Sequence, residues 1–224
     1  MTPTYPASVL RTIAPWQCLP VVDLSLTQYN KKDTPHEVLR QEFFQLQEKY
    51  NNYISFYTDG TKSNSSVGCS AVGPSYECVR RINSNATILT AELYGLLLAT
   101  NHITKNRLPC SIVYTDSLSA LRALASLEAA KNPLVTDLQF KVSTALENNI
   151  QIVFCWVPSH VGIAGNEEAD RAANKCSERN VDIEKIPYRD YRAALRKHIR
   201  YKGQQEWNSE VNNKLYSVKP ILQE

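Results

Sequence analysis

Four acidic residues fall in four separate stretches of the chain: Asp59 in FYTDGT, Glu92 in LTAELYG, Asp116 in VYTDS and Asp170 in GNEEADRAA. Carboxylates gathered at one point repel one another and resist ionising unless a cation lies among them. A chain that brings four together is therefore expected to hold divalent metal, and hard oxygen donors favour Mg2+ or Mn2+ over zinc. Ions of that kind serve the chemistry of phosphates. His160 lies ten residues before Asp170, in the loop WVPSHVGIAGN. An imidazole between a core strand and such a helix is placed to carry protons near neutral pH.

The elements that would position these groups are legible from periodicity. YISFYTDG, VGCSAVG and YECVRRI read as three short strands with a hairpin at Gly73-Pro74. ILTAELYGLLLATNHITK reads as a largely buried helix, SIVYTDS as a strand, and SLSALRALASLEAA as a helix closed by Asn132-Pro133. LVTDLQFKVSTALENN is predicted to be a further helix, IQIVFCWVPSH a long apolar strand, and GNEEADRAANKCSER the closing helix, with Asp170 in its first turn. Three strands followed by alternating helices and strands predict a mixed α/β sheet, antiparallel at one edge and parallel in the remainder.

Within that frame Asp59 and Asp116 occupy equivalent places. Each closes an apolar strand and follows a threonine, and in open α/β sheets the carboxyl ends of strands face the ligand crevice. Taken singly, each also reads as an ordinary turn or cap residue. Glu92 resists that reading. It is the single charged residue among the twelve of ILTAELYGLLLA, on the helical row Ile88, Glu92, Leu96, Ala99, Ile103. A carboxylate buried there without a partner would cost several kcal/mol. Asp170 sits amid Ala169, Ala172 and Ala173, small residues that let a helix approach a site closely.

At 224 residues with 43% hydrophobic and 21% charged residues, the composition is that of a globular protein. The net charge of +3 does not by itself mark a nucleic-acid binder. Six cysteines form no CxxC pair; Cys69 and Cys78 could face each other across a hairpin, but free thiols are expected. No stretch reads as a signal peptide or a membrane span, and an intracellular location, in nucleus or cytoplasm, is expected. Residues 1–50 read as an arm with four prolines followed by a helix capped by Thr34, residues 51–180 as the main domain, and residues 181–224 as a helical extension. The arm and its helix either pack on the main domain or belong to a preceding one.

With WVPSHVGIAGNEEAD, FYTDGT, TAELYG and YTDS in this order, residues 53–179 resemble the type 1 ribonuclease H family. The likeness is strongest to the RNase H domain of non-LTR (LINE-type) retrotransposon reverse-transcriptase polyproteins. That resemblance implies a five-stranded mixed sheet flanked by helices. It implies cleavage of the RNA strand of RNA–DNA hybrids with two Mg2+ or Mn2+ ions, and an attached or associated reverse transcriptase domain. It places metal ligands at Asp59, Glu92, Asp116 and Asp170, a mobile catalytic histidine at His160, and nucleic-acid contacts at Gly60, Thr61, Thr87 and Ser117. Asp59 is the expected bridging ligand, with Glu92 and Asp116 on the attacking-water side and Asp170 on the other.

Three departures from the family pattern bear on substrate affinity. Ile88 and Leu89 stand where many members carry two polar residues for the minor groove, and Leu118 replaces a frequent glutamine. The basic handle of many members is absent, since LEAAKNPLV carries only Lys131. Hybrid affinity is expected to be weak or supplied from elsewhere. Arg189, Arg192, Arg196 and Arg200 recur at spacings of 3, 4 and 4, a basic stripe on one helical face that could track phosphates. Two competing readings are a catalytically silent nucleic-acid-binding or assembly domain of a polyprotein remnant, and a transposase or integrase of the same broad superfamily.

Overall fold

The computed structural model describes residues 19–126, 132–210 and 212–221. Most of the proposed N-terminal arm with Cys18, the stretch containing Lys131, and Val211 lie outside them. A boundary between two compact units falls after Pro187.

The first unit is built on a mixed sheet of order β1-β6-β5-β2-β3-β4. Its strands are β1 (Val21–Asp23), β2 (Ile54–Lys62), β3 (Val67–Gly73), β4 (Tyr76–Ile82), β5 (Cys110–Thr115) and β6 (Gln151–Trp156). β2, β3 and β4 pair antiparallel through the Gly73–Tyr76 turn, whereas β2, β5, β6 and β1 run parallel. The predicted fold class thus holds, with one addition: the sheet has six strands, not five. The sixth is β1, three residues too short to show any alternation, which pairs Val21 with Val153 at the parallel edge.

Helix α1 (His36–Lys49) packs on this unit, burying Leu39, Phe43 and Leu46 against Ile112, Tyr114 and Val153. Of the two placements open from the sequence, it therefore takes the packed one. Asp23 ties β1 to α1 by accepting from Lys49 Nζ (2.8 Å) and the Tyr50 hydroxyl (2.8 Å). Although burial pushes the Asp23 carboxyl up, these bonds and those from Ser25 hold it well below the usual carboxylate range. Thr34 does not cap α1: its N–H donates to the Asn30 carbonyl in the preceding turn (2.9 Å), and Pro35 takes the cap position.

The remaining helices are α2 (Ile88–Lys105), α3 (Leu118–Ala125), α4 (Pro133–Glu147) and α5 (Ala164–Asn174). Asn132-Pro133 opens α4 rather than closing α3: the Asn132 side chain accepts from Leu134 N–H (3.0 Å) and Pro133 fills the first turn. An Asx-Pro pair suits a helix start as well as a stop. Cys69 lies opposite Arg80 and Cys78 opposite Ala71, two residues out of step, and both are free thiols.

The second unit contains α6 (Arg192–Ser209) and α7 (Lys214–Val218). Within it α7 and the residues after it fold back on the end of α6. Trp207 Nε1 donates to the Lys219 carbonyl (2.7 Å), Gln204 Nε2 to that of Pro220 (2.8 Å), and the Trp207 and Tyr216 rings lie 6.0 Å apart. Arg189 falls in a 3-10 turn, Tyr188–Tyr191, so the stripe on α6 itself is Arg192, Arg196 and Arg200.

Candidate active site

Parallel pairing of β2 with β5 sets Thr58 beside Thr115, which brings the following residues, Asp59 and Asp116, to the carboxyl end of neighbouring central strands. There the strands part. β2 continues, Asp59 pairing with Ser70 of β3, while β5 ends and the chain turns at Asp116 into α3. Asp116 is fixed by its backbone, its carbonyl accepting from Trp156 Nε1 (3.0 Å) and from Leu118 N–H (3.1 Å).

Glu92 comes from α2, which lies against β2 at backbone distance. A Cβ built on Gly60 would stand 2.6 Å from the Glu92 nitrogen, and one on Gly95 would stand 3.1 Å from the Ser70 carbonyl and 3.3 Å from that of Asp59. Any side chain at Gly60 would push the helix away and withdraw Glu92. Glycine at these two positions is thus what lets a helical carboxylate meet a strand carboxylate.

One oxygen from each of Asp59, Glu92 and Asp116 lies within 4.8 Å of the others. Asp59 and Glu92 are buried, Asp116 half-buried. Among the described residues, Asp59 Oδ2 and Glu92 Oε2 have no hydrogen-bond partner. Burial, then the charges of Asp116 and Asp170, push the Asp59 carboxyl up to about 7. Burial, then Asp59 and Asp116, push Glu92 up to about 9. The Gly60 N–H opposes both shifts. Asp116 is raised by burial, against a hydrogen bond from Asn166 and the nearby His160. Such a trio cannot be fully ionised at neutral pH unless positive charge enters it.

The donor set fits a divalent cation. Its atoms are hard carboxylate oxygens with no thiol or imidazole among them, and two are buried with nothing to satisfy them. Asp59, Glu92 and Asp116 are the residues able to hold it.

Asp170 is close enough to raise Asp59 and Asp116 but stands outside the 4.8 Å trio. It lies in the second turn of α5 rather than the first, because the helix starts at Ala164. Ser70 Oγ donates to the Ala169 carbonyl (2.7 Å), fastening α5 to β3 beside the acid. Thr61 Oγ1 donates to Asn174 Oδ1 (2.8 Å), and Asn174 Nδ2 donates to Asp170 Oδ1 (3.2 Å), so strand, helix and carboxylate share one chain of bonds. His160 is exposed in the β6–α5 loop in a left-handed conformation (φ 51°). Thr87 caps α2 by accepting from Thr90 N–H, and Ser117 stands at the start of α3 without a side-chain cap. Ile88, in the place of a minor-groove polar group, is 47% exposed.

Sequence reading missed Asn166, which is buried and whose side chain pulls the Asp116 carboxyl down against its burial. A signal was present: Asn166 and Asp170 are four apart, on one face of the same helix. Like Asn166, the missed Trp156 and Asn174 carry no charge that spacing could flag.

A mixed α/β sheet with two carboxylates at the ends of its central strands and a third from the helix packed on them makes a site that could hold a divalent cation. The chain belongs to the RNase H family, whose model matches residues 51–178. It is 30% identical over 140 residues to proteins named ribonuclease H from Francisella tularensis subsp. novicida and subsp. holarctica, covering 57% of this chain and 92% of each relative. Among solved structures it is similar to LC11-RNase H1 in complex with an RNA/DNA hybrid, at 21% identity and TM-score 0.45 over 56% of this chain and 96% of that one. The N-terminal RNase H domain of a Mycobacterium tuberculosis protein gives 23% identity and TM-score 0.44, over 56% and 94%.

Proposed function

We propose that this chain is a metal-dependent endonuclease that hydrolyses the RNA strand of RNA–DNA hybrids. The observation that carries the reading is the pair of buried, partnerless oxygens on Asp59 and Glu92 facing Asp116, in a chain of the RNase H family. The relatives' name, ribonuclease H, supports it.

When bound, Mg2+ or Mn2+ ions would activate water and stabilise the leaving 3′ oxygen. Asp59, Glu92 and Asp116 would hold metal on the attacking-water side, and Asp170, which accepts from Asn174, would serve the other. Asn166, buried on the same face of α5 as Asp170, favours the ionised form of Asp116. His160, exposed at the rim, takes up a proton or hastens product departure. Gly60, Thr61, Thr87 and Ser117 line the approach, where 2′-hydroxyl contacts in the minor groove distinguish RNA from DNA.

The finer origin follows the motif WVPSHVGIAGNEEAD and the segment after it: a retroelement-derived domain working with a reverse transcriptase. The five described cysteines are free thiols, which supports work in a reducing compartment, nucleus or cytoplasm. Among the described residues no helix is long and apolar enough to cross a membrane.

The test is cleavage of an end-labelled RNA–DNA hybrid by the purified chain with Mg2+, beside single-stranded RNA and duplex DNA. Shortened RNA products from the hybrid alone, abolished by EDTA, are expected. An intact hybrid under every metal would favour the silent nucleic-acid-binding domain, and strand transfer on duplex DNA the integrase reading.

A further inference from the structure

Residues 51–178, which match the family, carry eleven Asp and Glu against ten Lys and Arg, a net charge of −1. Leaving bound metal aside, a domain with that formal balance has no excess of basic side chains to draw a polyanion. Helix α6 has the opposite character. Over Arg192–Ser209 it carries five Lys and Arg against one Glu, a net +4 that exceeds the +3 of the whole chain.

The arrangement of that charge is specific. Arg192, Arg196 and Arg200 stand at i, i+4 and i+8 on one face, with Lys197 and Lys202 beside them. All five are exposed, and among the described residues none forms an ion pair with a carboxylate. Like charges one turn apart destabilise a helix, and among the described residues no ion pair relieves these. No described residue of α6 is buried, so packing of the helix does not account for the stripe. A polyanion at the arginine face would relieve the repulsion and release counterions.

We infer that α6 is the element that anchors nucleic acid, with Arg192, Arg196 and Arg200 tracking consecutive phosphates of the hybrid backbone. This rests on the hybrid nuclease reading, and it supplies basic charge that residues 51–178, with a formal net charge of −1, do not. Tethering is enough for the purpose: a phosphate-bound helix on the same chain raises the effective concentration of hybrid at the acidic site. Guanidinium groups suit the task better than carboxylate-paired lysines, since each can grip two phosphate oxygens at once.

The experiment compares the full chain with the triple variant Arg192→Gln, Arg196→Gln, Arg200→Gln. Glutamine keeps helix propensity, and circular dichroism confirms that α6 persists. Binding of a fluorescent RNA–DNA hybrid is measured with Ca2+ in place of Mg2+ across a range of KCl concentrations. The triple variant is expected to lose about 2–3 from the log Kd against log salt slope and to weaken binding at least about tenfold. The triple Arg→Lys variant should keep most of the slope. Unchanged slope and Kd in the glutamine variant, while the wild-type chain cleaves hybrid, overturn the inference and leave the nuclease reading standing. A lost slope in a chain that never cleaves keeps the anchor and removes the nuclease. Vesicles of anionic lipid that bind the wild type but not the variant, with hybrid affinity unaltered, would make α6 a membrane-surface helix and overturn the proposal.

Discussion

Glu92→Gln lowers Mg2+-dependent hybrid cleavage by about a thousandfold or more and at the same time makes the metal-free protein more stable. The activity loss follows from geometry: Gln keeps the shape of the side chain but offers no charged oxygen in place of the partnerless Glu92 Oε2. The stability gain follows from burial and crowding. Glu92 is 7% exposed and pushed up to about 9 by burial and by Asp59 and Asp116. Near pH 7 the folded chain must hold that group protonated, at a cost of about 3 kcal/mol relative to the unfolded chain. A neutral amide removes most of this, raising Tm by roughly 5–10 °C for a chain of this size. Cleavage assays and thermal melts in EDTA read the two effects separately. A variant that lost activity and stability together would mean that Glu92 holds the fold rather than the cation. Asp116→Asn should lose activity to a similar degree with a smaller gain in Tm, because Asp116 is half-buried and Asn166 and His160 offset part of its upward shift.

The second large effect is a metal-linked dependence of stability on pH. Asp59 is pushed from its ordinary 3.8 to about 7, and Glu92 from 4.5 to about 9. Both folded values lie above the unfolded ones, so the folded chain binds protons that the unfolded chain releases. Their contribution is most favourable below about pH 4 and is lost as pH rises to about 9. Asp23, held low, acts in the opposite sense but only at acid pH. Between about pH 5.5 and 9 the metal-free protein should therefore melt at falling temperatures. Mg2+ should reverse the trend, with little effect at the acid end where protons compete and its largest rise in Tm near pH 9. A flat metal-free profile, or equal Mg2+ stabilisation at both ends, would show that the carboxylates are not crowded as described.

How much of this was legible in the sequence depended on the kind of signal. Glu92 stood out because burying one charge in twelve apolar positions demands compensation, and in the fold it meets Asp59 and Asp116. The pairing of Asp59 with Asp116 was readable from two strands ending alike, and the register of Thr58 with Thr115 realises it. Strand β1 was not readable: three residues at a sheet edge owe their conformation to β6 rather than to their own pattern. The place of Asp170 was misjudged by one turn because Gly162 and Gly165 read as loop, whereas Gly165 lies inside α5 against the Tyr57 ring. Asn166 was hidden by its neutrality. The Gly60 contact with α2 was likewise beyond local reading, since only the tertiary approach of helix to strand makes that glycine necessary.

The central claim is that Asp59, Glu92 and Asp116 form one cation-holding cup. Its most direct measurement is anomalous diffraction from crystals of the chain grown with Mn2+ and a hybrid whose scissile linkage resists cleavage. The account predicts an anomalous peak coordinated by Asp59 Oδ2 and Glu92 Oε2, with Asp116 completing the shell. A site without a peak, its carboxyl groups protonated and hydrogen-bonded to one another, would contradict it.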